Sequence, residues 1–327
     1  MTASKSTSEP VANRKLKSKK PLISVIIPHL NQPSSLETCL DSLLSQTLER
    51  SAFEVIVVDN GSTSLPKAAI DRYPGTLLLQ ELKPGPGLAR NRGVEVARAD
   101  IFAFIDADCR AHPDWLLSAL RALQFLPEGI ILGGDVRIWR ENATAITALE
   151  AYESVFAYRF KLYIEQYGYS GTGNLVVRRS DFDKVGPFRG IEVAEDMDWG
   201  PRARATGCTF LYVTEMIVFH PARQSLRQLF NKWDRHIQHA VNSGSKNAMW
   251  RTRWILRALA ILLSPMMDWT KVIASDRIDG ISARFKAIIV LVVVRVYRAY
   301  QMINLLLSNK GVLWNRNSAI ARNGELG

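Results

Sequence analysis

Residues 102–115 read FAFIDADCRAHPDW, a short apolar run that ends at two acids, Asp106 and Asp108. The run has the length of a buried strand, and Pro113 is typical of the first turn of a helix. Acids at positions i and i+2 after a strand can be turn residues, or they can hold a divalent cation. The spacing alone favours the turn, so the rest of the sequence has to decide between the two.

Positive charge is concentrated at the two ends of the chain. The formal net charge is +11, to which residues 1–20 contribute +5, residues 223–327 contribute +12 and residues 21–222 contribute −6. An acidic centre does not suit a nucleic-acid groove, so we expect no nucleic acid as a partner. Basic ends on an acidic folded domain predict attraction to an anionic membrane surface.

Composition is that of a globular protein, with 47% hydrophobic and 22% charged residues. The three cysteines are widely spaced and form no C-x-x-C pair. This pattern indicates a reducing compartment and argues against a disulfide framework or a cysteine-rich zinc site. The first 20 residues are polar and basic, so we interpret them as a disordered arm and not as a secretory signal.

From residue 22, short apolar runs alternate with stretches of helical periodicity. The predicted strands are 22–28, 53–59, 75–82 and 101–106, and the predicted helices are 35–46, 87–99 and 113–126. Unbroken apolar strands separated by helices indicate parallel βαβ units buried on both faces, so the predicted fold class is α/β, doubly wound. Ligands of such sheets bind beyond the carboxyl ends of the strands, where Asp59, Asp106 and Asp108 lie.

Residues 129–221 are less regular. We predict a strand at 129–139, a helix at 143–165, a glycine loop entering a strand at 167–179, an acid-headed helix at 193–207 and one or two strands at 208–221. The helix at 193–207 is expected to end at Gly207.

Two hydrophobic stretches, 254–269 and 284–307, follow in the basic C-terminal part. Neither has the 18 or more uninterrupted apolar residues of a spanning helix. In the second stretch, polar residues recur every third position and gather on one side of a helix. They are Arg295, Arg298, Gln301 and, with some drift, Asn304, opposite Leu291, Val292, Val296 and Met302. We predict an in-plane amphipathic helix with its basic side towards lipid headgroups. Ordinary packing against the domain or a partner subunit, and a two-helix insertion, are the alternatives.

Five segments along the chain carry a family resemblance. They are SVIIPHLNQPSSLETCLDSLLSQ (24–46), EVIVVDNGS (54–62), GPGLARNRGVEVARADIFAFIDAD (85–108), GTGNLVVRRSDFDKVGPF (171–188) and VAEDMDWGPRARATG (193–207). In this order and with these gaps they resemble the family 2 glycosyltransferases of the GT-A fold, over roughly residues 22–222. The resemblance implies a Rossmann-like mixed sheet flanked by helices, followed here by a basic amphipathic helical extension.

The resemblance also implies the reaction. Such an enzyme transfers a sugar, with inversion, from a nucleotide-sugar donor to a glycan or lipid-linked acceptor, and uses Mg²⁺ or Mn²⁺. A UDP-sugar is the first expectation for the donor, with dTDP- and GDP-sugars left open. The nearest match to the Q-x-x-R-W motif of processive synthases is RQLFNKW (227–233), which has the wrong spacing and a lysine in place of the arginine. We therefore expect transfer of one or a few sugars.

Each matching position receives a role from the resemblance. The residues expected near the nucleotide are Pro28, His29, Asn31, Asp59, Arg90, Asn91 and Asp106. The residues expected near the donor or acceptor sugar are Gly173, Asn174, Glu195 and Trp199. Asp108 is the expected metal ligand, with Asp106 and His220 as further candidates, and Asp196 matches the catalytic base.

The residues taken alone leave structural explanations open. Asp59 could cap a helix, and Arg90 could lie on a helix surface. Glu195 and Asp196 stand at a helix N-terminus, where the helix dipole favours acids whatever the chemistry. A single histidine after a strand, such as His220, is most often not a ligand.

The chain divides into three predicted parts. Residues 1–20 form the arm, 21–222 the catalytic domain and 223–327 the membrane-associating extension. Within the domain, 21–110 is expected to bind the nucleotide and 111–222 the acceptor. Such a protein would work at the cytoplasmic face of the cell membrane, as a peripheral or monotopic protein.

Other classes fit less well. A sugar nucleotidyltransferase would have a Gly-rich, basic phosphate loop after the first strand, and a Rossmann dehydrogenase would have G-x-G-x-x-G there. The sequence IPHLNQPSS (27–35) contains neither. A non-catalytic scaffold with a degenerate site is opposed by the intact acids Asp59, Asp106, Asp108 and Asp196.

Overall fold

The computed structural model describes residues 20–308, apart from 143, 192 and 244–248. The predicted arm at 1–20 lies outside the described residues except for Lys20, and the end of the extension, 309–327, also lies outside them.

Within the described residues, one eight-stranded sheet forms the centre of the fold. Its strands are β1 (Ile23–His29), β2 (Phe53–Asp59), β3 (Thr76–Gln80), β4 (Ile101–Ile105), β5 (Arg110–Ala111), β6 (Ile130–Trp139), β7 (Asn174–Arg178) and β8 (Thr209–Pro221). They are ordered β3-β2-β1-β4-β7-β6-β8-β5. The strands β1 to β4 are parallel, as predicted. Because β7 is antiparallel to both β4 and β6, the sheet as a whole is mixed.

Helices cover both faces of the sheet. They are α1 (Pro33–Leu44), α2 (Lys67–Ile70), α3 (Pro86–Val96), α4 (Trp115–Gln124), α5 (Ala148–Phe156), α6 (Phe160–Leu162), α7 (Arg179–Val185) and α8 (Glu195–Ala205). Alternate side chains of β4 point to opposite faces: Ala103 and Ile105 join the core under α1 and α4, whereas Phe102 and Phe104 join the core under α3, α7 and α8. This double burial explains why the strands are apolar without alternation.

The single helix predicted at 143–165 is wrong. Thr147 and Glu150 form a capping box that begins α5 at Ala148. The helix ends at Phe156, and Tyr158 has a left-handed φ of 48°. A short α6 and a π-helical turn then run to Tyr167. Helical periodicity continues across the break, so the hydrophobic pattern alone could not show it.

The C-terminal extension consists of α9 (Leu226–Ser243), α10 (Trp250–Leu263), α11 (Pro265–Ile273) and α12 (Gly280–Ser308). Helix α12 buries Ala287, Leu291 and Val294 against α5, α9 and α11. Within the described ranges, every helix is too short or too polar to cross a membrane.

The predicted orientation of α12 is wrong. Arg295 pairs with Asp268 of α11 at 2.8 Å, and Arg298 lies over the ring of Trp233 in α9. The basic side therefore faces the protein, while Val292 and Val296 are exposed. An amphipathic pattern shows that two sides of a helix differ, but the partners of α12 decide which side turns inward.

Candidate active site

The carboxyl ends of β1, β2 and β4 meet at one edge of the sheet, because these strands are neighbours and parallel. A cavity of about 510 Å³ opens at this edge. The polar side chains that line it include His29, Arg90, Asp106, Asp108, Glu195, Asp196, His220 and Lys232. Pro28 and Gly173 also line it. Four of the seven predicted nucleotide residues, the predicted metal ligands and the predicted base thus line one cavity, whereas Asn31, Asp59 and Asn91 do not.

His29 and Asp59 form a buried pair at the ends of β1 and β2, where the strand register places them side by side. The His29 Nε2 accepts the Gln32 N–H (3.2 Å), so its Nδ1–H donates to Asp59 Oδ2 (3.0 Å). Asp59 Oδ1 accepts the N–H groups of Gly61 and Ser62. Burial by itself would raise the pKa of Asp59, but the hydrogen bonds from Ser62 and His29 outweigh it and lower the pKa.

The Asp59 side chain is completely buried, and it lies behind His29. In this arrangement the Asp59 side chain is not open to the cavity, so it does not offer the predicted direct contact with the base. The structure gives Asp59 a positioning role: it holds the His29 ring, which faces the cavity.

Arg90 of α3 joins two acids from distant parts of the chain. Its Nη2 donates to Asp106 Oδ1 at 2.5 Å and its Nη1 donates to Glu195 Oε1 at 3.0 Å. Only 2% of the arginine side chain is exposed. Arg90 was predicted as a base or ribose contact. Its guanidinium instead holds Asp106 and Glu195 together in one wall of the cavity.

Asp108 faces His220 across the cavity, with 3.4 Å between Oδ2 and Nε2. The His220 Nδ1–H donates to the Pro221 carbonyl (2.7 Å), which directs the Nε2 lone pair to the cavity. There it accepts the Tyr158 O–H at 2.8 Å. Burial raises the pKa of Asp108, opposed by His220 and reinforced by Asp106. A carboxylate and a neutral imidazole at this separation fit the donor set of a divalent cation.

Both carboxylate oxygens of Asp106 have close neighbours in the protein. One of its oxygens accepts from Arg90. The other lies so close to the backbone at Gly173 that a Cβ there would come within 2.6 Å of it. Gly173 is therefore needed for the close approach of its loop to Asp106, which explains this predicted site residue without a sugar contact.

Asp196 stands in the first turn of α8 and lines the same cavity as Asp108. Burial and the neighbouring charge of Glu195 raise the pKa of Asp196 to about 6. Its Oδ1 accepts the N–H of Met197 (2.8 Å). Glu195, in contrast, is held by Arg90 and Thr172. Of the two acids, Glu195 is paired with the Arg90 guanidinium, whereas Asp196 has a pKa raised to about 6.

The family model described as "Glycosyl transferase family 2" matches residues 24–193, which is more than half of the chain. The chain belongs to glycosyl transferase family 2. Glycosyltransferase AglE of Haloferax volcanii is 32% identical over 209 residues, which cover 62% of this chain and 68% of AglE. The amylovoran biosynthesis glycosyltransferase AmsB of Erwinia amylovora is 30% identical over 208 residues, or 59% of this chain and 67% of AmsB.

Solved structures with the GT-A fold resemble this glycosyltransferase. The mannosyltransferase PcManGT of Pyrobaculum calidifontis, in complex with GDP-Man and Mn²⁺, superposes with a TM-score of 0.54 at 18% identity, over 89% of this chain and 88% of that one. Residues 1–349 of S. aureus TarS in complex with UDP give a TM-score of 0.50 at 18% identity, over 88% and 92% of the two chains. At such identities the likeness concerns the fold, and the predicted GT-A class is confirmed.

Several predicted site residues of this glycosyltransferase have structural roles. Asn91 exchanges two hydrogen bonds with the backbone of Phe188 (2.8 and 2.9 Å) and so ties α3 to the segment before α8. Asn31 accepts the Thr63 N–H, and its φ is left-handed at 53°. Neither side chain lines the cavity. An asparagine serves as well in a turn or a loop clamp as in a binding site, so the motif could not distinguish these roles.

Asn174 and Trp199 are also corrected by the structure. Asn174 is fully buried, where it accepts the Trp115 indole N–H (2.8 Å) and donates to the backbone of β6 and β8. Trp199 is 2% exposed and packs among the aromatic rings that cover one face of the sheet. It lies one turn after Glu195 in α8, and its ring packs into the core. Both side chains are therefore used inside the protein, and neither lines the cavity.

Lys232 is a cavity residue that was not predicted. It comes from α9, in the extension, and its ammonium lies 5.8 Å from the centre of the Tyr158 ring. Burial and the nearby Arg223 lower the pKa of Lys232 to about 8. Glu153, the acid nearby, is paired with Arg223, and Lys232 forms no ion pair among the described residues. In the sequence, the only sign of this residue was that RQLFNKW (227–233) has a lysine where the Q-x-x-R-W motif has an arginine.

Proposed function

We propose that this glycosyltransferase moves a sugar from a nucleotide-sugar donor to a hydroxyl of a glycan or lipid-linked acceptor, with inversion and with Asp196 as the general base. The observation that carries the proposal is that Asp108 and His220 share one cavity with Asp196. A single displacement needs one site for the leaving diphosphate and one base for the acceptor, and this cavity offers both.

The donor would bind with its nucleoside towards His29 and Pro28. PcManGT was solved with GDP-Man and Mn²⁺, and TarS with UDP; we take a UDP-sugar as the first choice for this chain. Asp108 and His220 would hold Mg²⁺ or Mn²⁺, with Asp106 Oδ2 beside them. A bound ion would supply positive charge for the leaving diphosphate. The Lys232 ammonium, half-buried and without an ion-pair partner among the described residues, would donate to a diphosphate oxygen.

The acceptor would lie at the start of α8. Asp196 Oδ2 takes the proton of the acceptor hydroxyl as that oxygen attacks the anomeric carbon from the side opposite the leaving group. The proposal favours Asp196 over Glu195 because the Glu195 carboxylate is already bonded to Arg90. Arg90 in turn keeps Asp106 and the first turn of α8 at a constant separation, which orients both substrates.

The extension would dock on an anionic membrane through its apolar side. On α12 the exposed apolar stripe runs from Ile281 to Ile303, about 33 Å along the helix. Helices α10 and α11 add exposed Leu256, Leu263, Met266, Met267 and Trp269. A monomeric soluble protein rarely exposes so continuous an apolar surface. Exposed arginines on α10, a helix without acidic residues, suit anionic headgroups.

The domain boundaries follow from this proposal. Residues 21–222 would form the catalytic domain at the cytoplasmic face of the membrane, and the extension from 223 would both dock it and, through Lys232, complete the donor site.

A screen of donors tests the proposed reaction. The purified full-length protein is mixed with UDP-, GDP- and dTDP-sugars in Mg²⁺, Mn²⁺ or EDTA, and release of nucleotide is measured. We expect hydrolysis or transfer with one nucleotide class, lost in EDTA and in Asp108→Ala. Binding of a sugar nucleotide without turnover in any metal, with and without lipid-linked acceptors, would favour a non-catalytic scaffold.

A further inference from the structure

Cys109 follows Asp108 directly and brings a sulfur to the cavity. One ligand atom from each of Asp108, Cys109 and His220 lies within 4.8 Å of the others. We propose that Cys109 is a third protein ligand of the ion at Asp108 and His220, so that this site prefers a borderline ion such as Co²⁺ or Zn²⁺ to Mg²⁺. The inference rests on the proposed metal role of Asp108 and His220.

The separations already suit a bound ion. The Cys109 Sγ lies 3.7 Å from Asp108 Oδ1, and the His220 Nε2 lies 3.4 Å from Asp108 Oδ2. With metal–ligand bonds of about 2.0–2.3 Å, two ligands of a tetrahedral ion stand roughly 3.3–3.5 Å apart. Small rotations of the Asp108 carboxylate would bring all three donors to one ion, which would replace the Tyr158 hydroxyl at the Nε2 lone pair.

Backbone pairing holds the three residues in place. The short strand β5 is antiparallel to β8, with Arg110 opposite Phe219 and Ala111 opposite Val218. Continuing this register by one residue places Cys109 opposite His220. The Cys109 N–H donates to the Asp106 carbonyl (3.0 Å), which closes the turn between the strand end and β5. The arrangement is thus determined by a ladder and a turn, and not by flexible side chains.

The chemistry of the donors sets the preference. Carboxylate and water oxygens suit Mg²⁺, while a thiolate suits softer ions and binds Mg²⁺ poorly. A buried cysteine is more often a small core residue, and all three cysteines of this chain lie in apolar clusters. Cys109 differs because its sulfur meets a carboxylate and an imidazole. The competing explanation is a thiol that only donates a hydrogen bond to Asp108.

Cobalt absorption distinguishes these explanations without measuring activity. The full-length protein is titrated with Co²⁺, and its spectrum is recorded in the near ultraviolet and the visible. We expect a thiolate-to-cobalt charge-transfer band in the near ultraviolet, together with visible ligand-field bands. In Cys109→Ser and Cys109→Ala the first band should vanish while ligand-field bands remain. Cys208→Ser, the matched control at another buried cysteine, should keep both.

Competition experiments give a second readout. Cys109→Ser should weaken Zn²⁺ or Co²⁺ binding by about tenfold or more and should change Mg²⁺ binding by less than about threefold. Ligand-field bands without a charge-transfer band in the wild-type protein would overturn the inference and leave the metal role of Asp108 intact. If no Co²⁺ binds at all, or if Asp108→Asn binds it unchanged, the proposed metal role itself is wrong, and the inference fails with it.

Discussion

The guanidinium of Arg298 lies over the indole of Trp233, 3.7 Å from the ring centroid. Trp233 directly follows Lys232, which lines the active-site cavity. Beside them, Tyr297 stacks on Phe230 with 3.8 Å between ring centroids. The basic side of α12 is thus used inside the protein, next to the site, and a stripe of its apolar residues that includes Val292 and Val296 is left for the surface.

Membrane binding should therefore depend on the apolar side of α12. Replacing Val292 and Val296 by aspartate should reduce binding to anionic vesicles at least tenfold, because each charge would enter the apolar boundary of the bilayer. Vesicle flotation measures this. Leu82→Asp is the control, since Leu82 is 75% exposed but lies in the catalytic part. Equal binding of both variants would contradict the proposed docking side.

Asp196→Asn should lower kcat by a factor of about 10²–10⁴, the usual contribution of a general base. Nucleotide binding should remain, because the amide side chain of the variant would still fill the space of the carboxylate. Isothermal titration calorimetry with the nucleotide measures this binding. The control variant is Asp198→Asn, because Asp198 lies two residues further along α8 and is paired with Arg202. A variant with near wild-type turnover would remove Asp196 from the role of base.

Turnover should also depend on pH through Asp196. The base acts in its ionised form, and its pKa in the free enzyme is raised to about 6. We expect kcat/KM to fall as the pH drops through about 6 and to level off above it. A profile with no inflection between pH 5 and 7 in the wild-type enzyme would show that another group carries the proton.

The same pKa shift predicts an effect on stability. The folded-state pKa of Asp196 is raised from 3.8 to about 6, so the unfolded chain loses this proton first. Because of this group, the free energy of unfolding falls as the pH rises from about 4 to about 6. Asp196→Asn should stabilise the fold by about 1–2 kcal/mol at pH 8, after allowance for partial exposure, and by nothing at pH 4. Urea unfolding at the two pH values measures the difference; equal gains at both would count against it.

Lys232→Ala should raise the KM for the donor about 10–100-fold, because a buried charge-assisted hydrogen bond to the diphosphate is lost. Lys232→Arg should restore part of the affinity. Lys161→Ala is the control, as Lys161 is 65% exposed and pairs only loosely with Glu165 at 4.0 Å. An unchanged donor KM in Lys232→Ala would place the diphosphate elsewhere in the cavity.

Trp199→Phe should act on stability and not on substrate binding. The indole N–H donates to the Gly186 carbonyl at 2.9 Å, and the ring packs between Phe182 and Phe188. We expect the free energy of unfolding to fall by about 1–3 kcal/mol with little change in KM for either substrate. A large rise in the KM for a sugar substrate at unchanged stability would instead support the predicted contact of Trp199 with a sugar.

Sequence alone was sufficient for the parallel strands β1 to β4, for the acids at their carboxyl ends and for the acid-headed helix α8. These features follow from local periodicity and from short motifs, in which each residue's neighbours along the chain carry the information. The break at Tyr158 escaped prediction, because helical periodicity continues through it and only the capping box at Thr147 and Glu150 marks the true start of α5.

Only the tertiary structure decided which partner each of these side chains meets. Asp59 is enclosed behind His29, Trp199 turns to the core, and α12 turns its arginines inward, although each pattern allowed the opposite. Lys232 enters the cavity from more than 120 residues beyond Asp108, through the packing of α9 against α12. A one-dimensional pattern states that a residue or a helix side is polar, but its role depends on the surface it packs against, which distant segments supply.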